Sequence, residues 1–461
     1  MMNVQEKHIL FISVPAYGHV IPLLELARKV SKFHQVTFAV SAKMVGDLPE
    51  RELFDEKVDS RITMYPIADG VETAMEGPAN KDIFKKVMPM IFRGIMKLVH
   101  SIPISNDPSF VSELKDLTRP VDGIITDNFI GTGAGAMTQR KIPLYLFSSG
   151  PVSFTWVILS VHAEMATGNM DDLDGFMEVP DEEGNFKKTV PAELLHSLLL
   201  PVQKILPQCH AVIVNSVCDL ESEMIRRCKS KPGMQNVPFF CIGPILPETK
   251  KAAAANATIE QKVSTWLDGK DPESVVYISF GSVVKTNQAQ VEAIAGAIKQ
   301  LDQPAIWSLK ASDQQYVPED LKSATNMDDP SSKVLILTWA PQKTILSHGS
   351  MGVFVSHCGW NSTMEGLAAG KPIVGWPQFA DQNINAEFVA EHNAGDVIRN
   401  AGSHKGARMV PPKEIISMIK NVQKNNTEGA RTFAQKLHAA LQPDGSSSKQ
   451  FAELVSYIAS T

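Results

Sequence analysis

Short β-branched apolar runs alternate with longer amphipathic stretches along almost the whole chain. Before residue 220 the runs are HILFISV, VTFAVS, GIITDNF, PLYLFSS and AVIVNS; after residue 270 they are SVVYISF, AIWSL, VLILTWA, MGVFVSH and PIVGW. Each has the length and side-chain content of a strand buried on both faces of a parallel sheet. Between them lie segments such as IPLLELARKVSK and QAQVEAIAGAIKQL, with apolar residues at helical spacing. Strands alternating with helices imply stacked βαβ units, and two groups of runs imply two doubly wound α/β sheets.

The length agrees. At about 100–200 residues per domain, 461 residues make two. The boundary falls after CIGP (241–244), where LPETKKAAAANATIEQK is polar, Ala-rich and without strand pattern. The expected division is a first domain over 1–244, a linker over 245–262 and a second domain over 263–445. A Ser-capped helix over 446–461 is expected to pack back on the first domain. No internal repeat has a solenoid period.

Charge and cysteine usage exclude several classes. A net charge of −6 argues against nucleic acid, whose phosphates require a basic footprint. Cys209, Cys218, Cys228, Cys241 and Cys358 are odd in number and lack Cys-x-x-Cys spacing. That argues against a disulfide framework or zinc knuckle and fits a reducing compartment. The first apolar run is broken by Pro15, Gly18, His19 and Pro22, so it reads as strand, turn and helix rather than signal peptide. No apolar stretch reaches the length of a membrane span. A cytoplasmic monomer is expected.

Two strand-to-helix transitions in the second half carry chemistry. Phe280-Gly281-Ser282 ends one strand, and ligands of open α/β sheets bind at that edge. In MGVFVSHCGWNSTMEGLAAGKPIVGWP a strand is expected to end near Ser356 and a helix to start near Trp360. Gly370 is placed to cap that helix and Pro372 to stop it. The helix N-terminus suits a diphosphate, with His357, Gly359, Asn361 and Ser362 around it. Glu365 shares a helix face with Asn361 and can accept bonds from ribose hydroxyls. Asn and Ser are also ordinary capping residues, so the residues alone leave both readings open.

The segment from Trp339 to Gln382 reads WAPQ, fourteen residues, HCGWNSTMEG, then GWPQFADQ, and spans 44 residues. It resembles the signature box of plant-type UDP-dependent glycosyltransferases, family 1 of the glycosyltransferases. The resemblance implies two Rossmann-like domains facing a cleft (the GT-B fold), a UDP-sugar co-substrate, a small-molecule acceptor, and neither cofactor nor metal. It implies that Trp339 stacks on uracil, with Ala340 and Gln342 at the base or ribose. It places His357, Gly359, Trp360, Asn361, Ser362 and Ser282 at the diphosphate and Glu365 at the ribose. Asp381 and Gln382 would grip the sugar, and Trp376 would line its pocket. A final Gln rather than His is similar to glucose-using members.

The base comes from the first half. HILFISV runs into PAYGHVIP, which puts His19 at a strand's carboxyl end, where a helix N-terminus should disfavour imidazolium. A neutral imidazole is what a general base requires. Asp127, at the end of GIITD, can orient the ring and stabilise the charge it gains. The family's His and its Asp-x-Phe occupy similar positions. Ser148 matches a Ser or Thr that touches the sugar, and Gly18 belongs with the donor contacts. His19 would then deprotonate the acceptor hydroxyl, which attacks the anomeric carbon with inversion.

Other features have plainer explanations. Gly131-x-Gly133-x-x-Ala136 matches a permissive dinucleotide fingerprint but lacks the acidic residue about 20 positions on, so small-residue packing is expected. Asp172-Leu173-Asp174 resembles a metal-holding Asp-x-Asp, yet lies in a polar stretch that reads as a loop. His348 reads as structural. The Met-rich KKVMPMIFRGIMKLV reads as core that also suits a varied acceptor pocket. IADGVETAMEGPANKDIFKKVMPMIF loosely resembles the flavonoid 3-O-glucosyltransferase branch, departing around Val71 to Gly77. A UDP-sugar epimerase of this fold, a transferase using another UDP-sugar and a non-catalytic nucleotide-sugar binder are the rival readings.

Overall fold

The computed structural model describes residues 5–71, 83–102, 117, 119–167, 181–185, 190–246, 254–281, 284, 286–323, 325–329, 331–402 and 407–461. Strands β1 (His8–Ile12), β2 (Gln35–Ser41), β3 (Ile62–Ile67), β4 (Gly123–Asp127) and β5 (Leu144–Ser148) belong to the first half. Two short strands, β6 (Ala166–Thr167) and β7 (Val190–Pro191), pair separately. β8 (Ala211–Val214) and β9 (Phe239–Cys241) complete a seven-stranded sheet in the order β3-β2-β1-β4-β5-β8-β9. The second half holds β10 (Val275–Ser279), β11 (Ala305–Ser308), β12 (Val334–Leu337), β13 (Met351–Ser356), β14 (Ile373–Gly375) and β15 (Gly395–Val397). Their order is β12-β11-β10-β13-β14-β15. Every strand pair is parallel, so both sheets are doubly wound Rossmann-like layers, as the alternation predicts.

All ten predicted apolar runs are strands. Besides the short pair β6 and β7, the three strands of the two large sheets that pattern reading misses have physical reasons. β3 carries Pro66, which removes a ladder donor and is tolerated only at the sheet edge where β3 lies. β9 and β15 have three residues each, too few for a period to show.

Strand order reverses between β1 and β4 in one sheet and between β10 and β13 in the other. At such a switch point the flanking connections splay apart and leave a crevice at the strands' carboxyl ends. Adjacent registers, Ile12 with Thr126 and Ser279 with Ser356, set the chain segments that follow side by side.

The stretch read as linker is not uniform. Residues 247–253 lie outside the described residues, and a helix runs over Ala254–Asp268, with Val263, Trp266 and Leu267 as its buried stripe. The last helix, Ser446–Ser460, packs on the first half: Leu454 and Ile458 join the core with Phe11, Phe38 and Phe240, and the Tyr457 hydroxyl donates to the His210 carbonyl at 3.1 Å. Among the described residues no helix is long and apolar enough to cross a membrane.

Candidate active site

The switch point of the first sheet brings His19 and Asp127 together. The chain leaves β1 and enters a helix at Tyr17–Val30, with His19 in its first turn. Asp127 ends the neighbouring β4. The His19 Nδ1–H donates to Asp127 Oδ2 at 2.8 Å, and Asp127 Oδ1 accepts the Phe129 N–H at 2.7 Å. Asp127 is fully buried, whereas 19% of the His19 side chain is exposed. With Nδ1 committed, Nε2 is the nitrogen left for a substrate. Phe129 packs on the His19 ring, with centroids 4.5 Å apart, and stacks on Phe154.

The protonation of His19 corrects the sequence reading. Burial works to lower its pKa, but the Asp127 charge and hydrogen bond, with the Asp381 charge from the other domain, outweigh burial and hold it above the ordinary value. A full charge at hydrogen-bond distance exceeds the half-charge of a helix end. His19 is therefore a strengthened base rather than one kept neutral by the helix.

The second switch point builds the facing wall. β13 ends at Ser356, and the helix spans Trp360–Ala368 with Gly359 at its N-cap. No side chain caps that end, which leaves its first N–H groups for a ligand. His357 lies between two glycines. A Cβ on Gly281 would come within 2.8 Å of His357 Nε2, and one on Gly359 within 2.6 Å. Burial pushes the His357 pKa down to about 4, only partly offset by a hydrogen bond to the Ser279 backbone, so the ring is neutral at pH 7. Its Nδ1 is buried without a partner among the described residues. Ser282 lies outside the described residues.

The residues expected at the base and ribose form a connected set. Trp339 is 45% exposed, which rules out a core role and leaves a platform for stacking. Ala340 is half-buried beside it, and its carbonyl accepts the Gln342 N–H at 2.8 Å. Gln342 Nε2 donates to Glu365 Oε2 at 2.7 Å and to Ser362 Oγ at 3.1 Å, and its Oε1 accepts from the Tyr277 hydroxyl. Burial raises the Glu365 pKa, with Gln342 pulling against it.

Several predicted contacts sit differently. The Trp360 ring is 5% exposed, edge-on to Phe388, and its indole N–H donates to the Asn215 carbonyl at 2.7 Å. Trp376 is 2% exposed and packs edge-on against Phe280, behind the site rather than lining it. Ser148 is buried with its hydroxyl turned to the Gly150 carbonyl, while Ser149 is half-buried with its Oγ 3.3 Å from His19 Nδ1. The strand ends at Ser148, and Ser149, the first residue beyond it, is the serine beside His19. Gln382 spends its Oε1 on the Gln378 and Phe379 N–H groups at 2.9 and 3.2 Å, leaving its amide nitrogen for a ligand. Asp381 is held by Asn385 Nδ2 at 3.1 Å, and burial raises its pKa. Asn361 Nδ2 reaches the Gly18 carbonyl at 3.4 Å, across the cleft.

Sequence reading missed Ser149, Asn215 and Asn385. Asn385 was available, since it lies one helical turn after Asp381; nothing in its spacing marks Asn215. The remaining features resolve simply. A side chain on Gly131, at φ 52°, would overlap the Phe92 ring, so that glycine serves packing between helices. His348 ties Ser350 Oγ at 2.8 Å to Asp268 at 3.2 Å. Met88, Ile91, Phe92 and Ile95 of the Met-rich helix are core. Asp172 to Asp174 and Glu72 to Gly77 lie outside the described residues. Among the described residues no three His, Cys, Asp or Glu side chains are grouped to hold a metal.

The sequence profile of the family described as UDP-glucoronosyl and UDP-glucosyl transferase matches residues 234–405. The chain is 25% identical to UDP-glycosyltransferase 74C1 of Arabidopsis thaliana, over 99% of this chain and 100% of that protein. It is 27% identical to anthocyanidin 3-O-glucosyltransferase UFGT of Vitis vinifera, over 98% and 97%. Among solved structures it superposes on Medicago truncatula UGT71G1 complexed with UDP-glucose with a TM-score of 0.74, at 23% identity over 99% of both chains. It matches a UDP-glucose: anthocyanidin 3-O-glucosyltransferase in complex with UDP with a TM-score of 0.73, at 24% identity over 99% and 100%.

Proposed function

The chain belongs to the UDP-glucoronosyl and UDP-glucosyl transferase family and is a UDP-glycosyltransferase, and from that premise we propose that it moves glucose from UDP-glucose to a hydroxyl of a small lipophilic acceptor, with inversion. The observation that carries this reading is the 2.8 Å His19–Asp127 pair, facing an uncapped helix N-terminus across the cleft. His19 Nε2 takes the acceptor's hydroxyl proton as the acceptor oxygen bonds to the anomeric carbon. The bond from that carbon to the diphosphate oxygen breaks on the opposite face. Asp127 stabilises the imidazolium that results. The charge on departing UDP is met by the N–H groups at Trp360 to Ser362 and by the neutral His357, a preorganised set that supports turnover without a metal. Asp381 and the Gln382 amide nitrogen are the proposed sugar contacts.

A flavonoid-like acceptor is proposed from two supports: the Phe129 and Phe154 rings beside His19, and the anthocyanidin 3-O-glucosyltransferase among the relatives. The epimerase reading is not favoured, since these relatives are named as transferases. The test is mass spectrometry of UDP-glucose reactions with a panel of phenolic and flavonoid acceptors. A hexose adduct that vanishes in His19→Ala is expected. No adduct with any acceptor, or UDP-galactose formed without one, would overturn the reading.

A further inference from the structure

The first two residues of the diphosphate helix both reach into the opposite domain, on either side of His19. Asn361 Nδ2 contacts the carbonyl of Gly18, the residue before the base. The Trp360 indole N–H donates to the Asn215 carbonyl at 2.7 Å, and that bond is buried. Asn215 extends the connection with its own side chain. Its Nδ2 donates to the carbonyl of Ser149 at 3.3 Å, and Ser149 Oγ lies 3.3 Å from His19 Nδ1. Its Oδ1 accepts the Ile245 N–H at 2.6 Å, just past the point where the chain leaves the first domain. A Cβ on Gly243 would lie 2.5 Å from the Asn215 backbone, so this junction is close-packed.

From this geometry we propose that Trp360 and Asn215 are a positioning pair, a latch that fixes the distance between the base and the helix end that receives the diphosphate. Neither side chain is a ligand contact. Transfer requires the acceptor oxygen on His19 and the anomeric carbon on the helix side to meet within a near-attack distance. A misplacement of about 1 Å costs on the order of a hundredfold in rate. Each sheet has its own core, and the two meet through few apolar residues, such as Val217 and Ile384, so that distance is set by what crosses between them. The latch ties the helix to the Ser149 loop beside His19 and to the crossing segment.

The inference rests on the transferase reading, and the test separates the two. Trp360→Phe keeps an aromatic ring against Phe388 and removes the N–H together with part of the indole. The expected result is UDP affinity within twofold of wild type by calorimetry, with kcat for glucose transfer lowered by about tenfold or more. Asn215→Ala, which keeps the accepting carbonyl, should give the same split, and the double variant should cost little more than either single change. Transfer within twofold of wild type in both variants, or UDP affinity falling in step with kcat, would overturn the latch. If the wild-type protein transferred no sugar, the transferase reading would fail by itself. Small-angle scattering with UDP bound would then read the latch: a larger radius of gyration in Trp360→Phe supports it, and an unchanged one refutes it.

Discussion

Asp127 grips the Nδ1 edge of His19 at 2.8 Å from a position with no exposed surface, at the end of the strand next to the one that delivers His19. The pair is a product of sheet order more than of side-chain choice. The acidic limb of kcat/KM should therefore lie above the ordinary histidine value of 6.5, because His19 must lose its proton before it can act and Asp127 holds that proton. Asp127→Asn should move the limb to lower pH and reduce kcat by about 10²–10⁴-fold, and His19→Ala should cost a similar factor. A pH–rate profile of the three proteins checks this, and a limb unmoved in Asp127→Asn would break the link.

Trp339 stands 45% exposed at the mouth of the site. Replacing it with Ala should weaken UDP by about 1–3 kcal/mol, the usual worth of base–aromatic stacking, while leaving thermal stability near wild type. Calorimetry with UDP and a melting curve decide the point.

Gly359 has φ −58°, which an alanine adopts freely, so Gly359→Ala should act only through the imidazole its Cβ would touch. UDP affinity should fall in Gly359→Ala, and in His357→Ala by about 1.5–3 kcal/mol for a lost hydrogen bond to a charged group. The double variant should bind UDP no worse than His357→Ala. Additive losses would mean that the alanine damages the helix end itself.

Gln382 should influence the sugar only through its amide nitrogen, since its oxygen is tied to the turn that precedes it. Gln382→His loses those two backbone contacts as well. It should lower turnover with UDP-glucose and narrow the preference over UDP-galactose, measured as a ratio of kcat/KM values. An unchanged ratio would remove Gln382 as a selector.

Glu221 is 3% exposed, and burial pushes its pKa from 4.5 to about 7, with the Ser216 and Val152 hydrogen bonds opposing and Cys218 and Glu391 adding to the rise. Between those two values the folded protein holds a proton that the unfolded chain releases. Stability should therefore fall as pH climbs through that window and level off above it. Glu221→Gln should raise the urea midpoint at pH 7.5 and leave it nearly unchanged at pH 4.5. Equal midpoints at both would count against a buried neutral carboxyl.

The sequence made the fold legible because parallel strands buried on both faces leave a nearly continuous apolar signal, as in HILFI and MGVFVS. It made His19, Asp127, Trp339 and His357 legible because each sits at a strand end or turn that a pattern can locate. What stayed hidden depended on side-chain direction and on distant partners. Trp360 and Trp376 look like pocket aromatics in sequence, yet their rings turn into the interface and the core. Ser148 and Ser149 differ only in which way the strand end faces. Asp381, more than 350 positions away in sequence, adds to the rise in the His19 pKa that Asp127 dominates, and no local reading connects it.

The last helix has a consequence for how the protein is made. Its Leu454 and Ile458 complete the core beneath the first sheet, and its Ser447 hydroxyl bonds the Gly243 carbonyl where the chain leaves the first domain. The ribosome therefore delivers most of the first domain early but this helix late, after the whole second domain has emerged. Until then the patch around Tyr145 and Phe240 that this helix covers stays open to chaperones and to wrong partners. Speed of synthesis past residue 446, more than strength of the early fold, should govern how much of this enzyme matures.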